Sequence, residues 1–241
     1  MVDTVKKIAY FAGCTANYIE PDIGRATIQV LQKNGFHPIF PDQKCCAIPK
    51  LACGDIGGFM KHAEFNLRSL YETDCDIVSG CTSCTLTIKR EYPGVLKGWE
   101  AEDIAQRTYD ILEYLVMLRA RNMLNTVFRP IDLNILYHSP CHLRVFGKEL
   151  IDDRLTLMRL IPGITVSLLD GGCCGMGGTF GLKRNNYAMS MEIGQALFEE
   201  IKRLSPDVVV TECPMCKMQI EQGTGMPVIH PVIIVKQAYA L

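Results

Sequence analysis

The 241-residue chain has no long basic run, and its 25 lysines and arginines meet 26 acidic residues for a formal net charge of −1. A nucleic-acid partner would call for a concentrated positive face, so that class is set aside. No apolar run approaches the ~20 residues of a helical membrane span. The apolar stretch in MVDTVKKIAYFAGC is too short for a secretory signal peptide. A soluble, cytoplasmic chain is therefore expected, reaching the inner face of the membrane only through a partner. Six glycines, Gly171, Gly172, Gly175, Gly177, Gly178 and Gly181, crowd one loop. Their spacing matches neither a Walker A loop nor a dinucleotide fingerprint at the first strand, which argues against a nucleotide site. The ferredoxin spacing Cys-x-x-Cys-x-x-Cys is also missing, so the ordinary cubane module is excluded.

What is present is an ordinary globular composition, 48% hydrophobic and 21% charged, with ample material for a core. Cysteine departs from it, with twelve residues. Disulfide frameworks belong to small secreted domains that lack a core, so metal binding is the better default here. Ten of the cysteines repeat in fixed order: Cys14, Cys45–Cys46 and Cys81-x-x-Cys84, then Cys141, Cys173–Cys174 and Cys213-x-x-Cys216. The intervals are 30 then 34 residues in the first set, and 31 then 38 in the second. Such self-similarity means duplication, with halves at residues 1–124 and 125–241 joined near RARNMLNTVFRP.

Each cysteine group follows a strand pattern. KKIAYFAG, FHPIF and CDIVSG precede the first three groups, and LNILYHSP, ITVSLLDGG and DVVVTE the second three. Helical periodicity runs over 22–34, 55–73, 100–121, 147–160 and 184–204. The alternation predicts an α/β fold of tandem, Rossmann-like halves with mainly parallel sheets. Ligands of such sheets bind beyond the carboxyl ends of the strands, where the five thiols of each half should converge. Each Cys-x-x-Cys opens a helix, whose N-terminus favours thiolate.

A zinc ion takes four ligands, so a fifth thiol per half is surplus, whereas an iron–sulfur cluster can use more. The glycine-rich loop would let backbone N–H groups approach bridging sulfides. Adjacent cysteines reach one centre only if their loop is bent or the centre is large.

At YHSPCH, CCGMGGTFGLKRNNY and TECPMCKMQIE the chain resembles the CCG cysteine-rich domain proteins. These include the B subunit of heterodisulfide reductase and the C subunit of anaerobic glycerol-3-phosphate dehydrogenase, the latter resembling these segments most. The resemblance implies an iron–sulfur subunit of a multi-subunit anaerobic oxidoreductase, heterodisulfide reductase B-like, with one or two non-cubane 4Fe-4S clusters. It implies Cys14, Cys45, Cys46, Cys81 and Cys84 as ligands of one centre, and Cys141, Cys173, Cys174, Cys213 and Cys216 as ligands of the other. Electrons would pass to or from a disulfide or a quinone. The implied partners are a flavoprotein, a ferredoxin-like iron–sulfur subunit, or both, with a membrane-bound quinone-reactive subunit as a further one. The first motif departs from the family, with Ala47 in the place of glycine, and the resemblance leaves zinc or no metal as the alternatives for that half. The ferredoxin-like domain that precedes the pair in longer members is not found ahead of KKIAYFAGC, so electrons are expected from another subunit.

The rival class is a zinc-binding structural or assembly protein without redox activity. A bare thiol–disulfide oxidoreductase would leave six motif cysteines unexplained. Cys53 and Cys75 fall outside the repeat and read as packing residues. His138 and His142 flank Cys141, where each reads as readily as a satisfied polar group as a donor to a thiolate. Lys89, Arg90, Lys183, Arg184 and Lys217 follow the cysteine loops, as compensating charges or as solvated helix faces.

Overall fold

A computed structural model of the chain describes residues 6–169 and 172–241. The chain divides between Val127 and Phe128 into two compact units. The first holds a four-stranded sheet of β1 (Lys6–Phe11), β2 (Phe36–Ile39), β3 (Ile77–Ser79) and β4 (Thr108–Asp110), in the order β2-β1-β3-β4. The second holds β5 (Leu133–His138), β6 (Ile164–Leu169), β7 (Val208–Val210) and β8 (Val228–Ile229), in the order β6-β5-β7-β8. Every pairing is parallel. The two orders are the same topology four strands apart, so the cysteine repeat is a repeat of the fold.

Parallel strands covered on both faces read as continuous apolar runs. Ile8 through Phe11 of β1 and Ile135 through His138 of β5 are accordingly all buried. Helices supply the cover. Helix Pro21–Lys33 opens on proline and buries Ile23, Ala26, Val30 and Leu31 at the three- and four-residue spacing of one face. Helix Ile56–Tyr71 is capped by Asp55, which accepts the Gly58 N–H at 2.8 Å, and buries Phe59, Ala63, Asn66 and Leu70. No helix among the described residues is long and apolar enough to cross a membrane.

One predicted helix is two. The periodicity over 100–121 is interrupted: Trp99–Gln106 ends at Arg107, β4 follows, and Ile111–Ala120 begins afresh. Asp110 and Glu113 form a reciprocal capping box there, a D-x-x-E signal of a new helix start. Arg107 turns back at the break, donating to the carbonyls of Leu70 and Tyr71 and so satisfying the C-terminal end of helix Ile56–Tyr71. β4 and β8 have three and two residues, too short to show an alternating pattern. Helix Tyr187–Leu204 is preceded by a separate 3₁₀ turn at Arg184–Asn186, three residues that the pattern over 184–204 includes.

The strand order positions the site. In each unit the three strands that precede cysteines are neighbours, β2-β1-β3 and β6-β5-β7, and the chain order reverses at the middle one. That crevice beyond the strand ends is where α/β sheets bind ligands.

Candidate metal centres

In the first unit Cys14 lies in the short helix Gly13–Tyr18 after β1, Cys45 and Cys46 in the loop after β2, and Cys81 at the cap of the helix that follows β3. Their sulfurs meet. Cys14 and Cys45 Sγ are 3.7 Å apart. Side-chain hydrogen bonds continue from Cys45 to Cys46 and from Cys84 to both Cys46 and Cys81. Hydrogen bonds from Cys45 and Cys84 hold Cys46 well below the usual thiol range despite its burial. Cys84 is pushed well up, because its proton is shared toward Cys46 and Cys81 and burial adds to this. The hydrogen bond to Cys45 likewise raises Cys14, with burial second.

The second unit repeats the arrangement. Cys174 and Cys216 Sγ are 3.4 Å apart, and Cys216 also bonds to Cys213, the cap of helix Pro214–Thr224. Cys174 is lowered to about 5, chiefly by the hydrogen bond from Cys216, then, against burial, by one from His138. Cys213 is lowered as well, by Cys216. Cys141 is raised by burial and then by the charges of Cys213, Cys173 and Cys174. The second residue of each adjacent pair, Cys46 or Cys174, is thus lowered by the hydrogen bonds of its neighbours. All twelve cysteines are free thiols.

A bent loop explains the adjacent pairs. Ala47 and Gly175, the residues after them, both take left-handed backbone, with φ of 69° and 87°. Each donates its N–H back to the first sulfur of its pair, Ala47 to Cys45 at 3.4 Å and Gly175 to Cys173 at 3.3 Å. Alanine tolerates the first of these positions at a cost of about 1–2 kcal/mol. Part of that is offset by the lower unfolded-state entropy of alanine. Ala47→Gly is therefore expected to raise stability by about 0.5–1 kcal/mol, read as a shift in the urea midpoint, and Ala47→Val to lower it.

Buried and half-buried amides and hydroxyls fix the loops from behind, and nothing in the cysteine pattern points to them. Gln43 accepts from Ala12 N and Gly13 N at 2.8 and 3.2 Å and donates to Tyr10 O at 3.1 Å, which ties the Cys14 turn to the Cys45 loop. Asn66 accepts from Lys44 N and donates to Cys45 O and the Tyr92 hydroxyl, which donates in turn to Cys46 O. In the second unit Ser190 Oγ donates to Gly175 O at 2.8 Å and accepts from Gln219 at 2.9 Å. Tyr137 and Arg154 converge on Glu212, just before Cys213; the hydroxyl donates at 2.7 Å and the guanidinium at 2.9 Å.

His138 is a member of the second group. It is buried, and its ligand atom lies within 4.8 Å of both Cys174 and Cys216 Sγ. His142 sits in the single helical turn Cys141–Arg144. Two of the cations that follow the cysteine loops face carboxylates, Lys89 on Glu113 at 2.7 Å and Lys217 on Glu221 at 2.9 Å. Cys53 is exposed, and Cys75 packs at the edge of the first core. Neither joins a thiol group.

Two thiolates on one tetrahedral metal, with metal–sulfur bonds near 2.3 Å, lie about 3.8 Å apart. The pairs at 3.7 and 3.4 Å fit a shared metal atom. A single zinc ion would leave one of the five thiols of each half unused.

The family model for the CCG cysteine-rich domain matches twice, over residues 8–89 and 135–221. The chain belongs to the CCG cysteine-rich domain family. The C subunit of anaerobic glycerol-3-phosphate dehydrogenase from Escherichia coli K12 is 34% identical over 97% of this chain. The B subunit of fumarate reductase (CoM/CoB) from Methanothermobacter marburgensis is 31% identical over 90%. The chain spans 59% and 42% of the lengths of these two relatives. A hypothetical protein from Helicobacter pylori shares the fold, with a TM-score of 0.57 at 11% identity over 98% of this chain and 49% of that one. The two CCG matches each run from the first strand of a unit past its Cys-x-x-Cys, and each takes in all five cysteines of its half.

Proposed function

We propose that this chain is the iron–sulfur subunit of a multi-subunit anaerobic oxidoreductase. Its ligands would be Cys14, Cys45, Cys46, Cys81 and Cys84 for one centre, and Cys141, Cys173, Cys174, Cys213 and Cys216 for the other. The observation that carries the reading is the chain of sulfur contacts that links all five thiols beyond the strand ends of the first half, one thiol more than zinc uses, with Cys174, Cys213 and Cys216 in contact at the corresponding place of the second. When bound, an iron–sulfur cluster supplies one-electron storage and transfer. The non-cubane 4Fe-4S type is favoured because both members of the first adjacent pair, Cys45 and Cys46, take part in its thiol group.

The chain's own residues do the rest. Cys46, Cys81, Cys84, Cys174, Cys213 and Cys216 are buried and keep water from most of each centre. The N–H groups of Ala47 and Gly175 withdraw charge from the sulfurs they face. Access is left on one side of each. Cys141 and Cys173 are exposed, and a cavity of about 270 Å3 between Asn17, Tyr18, Gln43 and His62 reaches Cys14 and Cys45. That cavity favours a small disulfide as the electron acceptor or donor, in the manner of heterodisulfide reductase; a quinone would be reached through a membrane-bound partner. Both relatives are subunits of larger enzymes. By analogy, oxidation of the organic substrate falls to a flavoprotein, with a ferredoxin-like protein as the relay.

Anaerobic native purification should recover the chain with such a flavin- or iron-bearing partner. An isolated chain that oxidises an organic substrate unaided would overturn the proposal. Cys53→Ser and Cys75→Ser are expected to leave iron content and spectrum unchanged, checked by metal analysis and EPR.

A further inference from the structure

One buried residue beside the thiols changes its chemistry between the two centres. Cys14 and Cys141 each follow the last residue of the central strand by three positions, and that residue is Phe11 in the first half and His138 in the second. Phe11 is fully buried in the core cluster that includes Cys46, Cys81 and Cys84, and it offers them only hydrocarbon. His138 is just as buried, yet its ring lies within 4.8 Å of the Cys174 and Cys216 sulfurs and hydrogen-bonds Cys174. Its Nδ1 is buried with no hydrogen-bond partner among the described residues, so the bond to sulfur falls to Nε2. Burying an imidazole with one nitrogen unmatched costs free energy that a phenyl ring would not. The position therefore carries a cost for packing alone, and among the described residues the hydrogen bond its side chain gains is with a thiol sulfur.

Hydrogen bonds to cluster sulfurs and solvent exposure are among the features that set cluster potentials. A donor aimed at a thiolate spreads its negative charge and makes the reduced state easier to reach. Exposure of Cys141 and Cys173 acts in the same direction, whereas in the first half Cys14 and Cys45 are both partly covered. The Glu212 carboxylate before Cys213 is offset by Arg154 and adds no net charge. We infer that His138 is a positioning residue of the second centre: its ring N–H, held on Cys174 Sγ, sets that centre at a higher reduction potential than the first, where Phe11 stands in its place. The two centres are then a low-potential and a high-potential site rather than a matched pair.

The inference rests on the iron–sulfur reading of the second thiol group, and iron content separates the two. The test is an anaerobic redox titration of the full chain, followed by EPR, with iron measured on each sample. His138→Phe, and His138→Leu as the smaller replacement, should fold by circular dichroism, keep wild-type iron, and move the second centre's midpoint to a more negative potential. His138→Gln, which keeps an N–H donor, should recover part of the shift. Phe11→His places a donor in the first half and should move that centre's midpoint upward, which tests the idea where the His138 variants do not fold. Wild-type iron with unmoved midpoints in the His138 and Phe11 variants would overturn the inference alone. Folded His138 variants without iron would overturn it as well, by making His138 a ligand. A wild-type chain with no iron would overturn the functional reading itself.

Discussion

Gly175→Ala is expected to empty the second centre while the first half keeps whatever metal it holds. An added Cβ at this left-handed position would lie 2.0 Å from Ser190 O and 2.9 Å from Gly194 N. Both atoms belong to the backbone of helix Tyr187–Leu204, so no change of rotamer relieves the clash. The helix itself is pinned, since Leu197, Phe198 and Ile201 are buried in the second core. The cysteine loop must give way, at a cost of about 3 kcal/mol or more from strain and overpacking combined. Its displacement removes the Gly175 N–H from Cys173 and swings Cys174 from Cys216. Ala47, in the equivalent place of the first half, already carries the Cβ that Gly175 cannot, so the same change is tolerated on one side of the repeat only. The check is iron per chain and the EPR spectrum of the reduced variant. A Gly175→Ala protein with wild-type iron would show that the loop bends elsewhere.

The second large effect concerns the charge pair behind Cys213. Arg154 and Glu212 have side-chain exposures of 0% and 1%, and their atoms meet at 2.9 Å. Removing one member of such a pair strands a buried charge and costs about 3–5 kcal/mol, whereas replacing both by apolar groups is often close to neutral. Arg154→Met should therefore lower stability by about 3–5 kcal/mol, and the double variant Arg154→Met/Glu212→Leu should recover most of the loss. Tyr137→Phe, which removes a hydroxyl bonded to both carboxylate oxygens, should cost about 1.5–3 kcal/mol. Urea denaturation of the metal-free chain reads all three without interference from cluster loss. Additive losses in the double variant would show that the two residues do not act as a pair.

The strands that carry cysteines are legible in the sequence because each is a short apolar run ending in a glycine, serine or proline turn, and the duplicated order doubles every signal. Convergence of the thiols follows from that order alone, since adjacent parallel strands bring their carboxyl-end loops together. The supports behind the loops are not legible. Gln43 reaches Ala12 across 31 positions, and Arg154 reaches Glu212 across 58. Neither pair has a local spacing that announces it. His138 is visible as a neighbour of Cys141 in sequence, but its contact is with Cys174 on another loop. That depends on the β6-β5-β7 order and on the bend at Gly175, neither of which a flanking position reveals. The pattern over 100–121 reads as one helix because apolar periodicity continues through β4, although the Asp110–Glu113 box marks the restart.

The most direct test of the central claim is metal and acid-labile sulfide analysis of the anaerobically purified wild-type chain. The account predicts a brown, oxygen-sensitive protein with iron and labile sulfide in equal amounts and little zinc. Stoichiometric zinc in both halves of a colourless protein, with no labile sulfide, would contradict it.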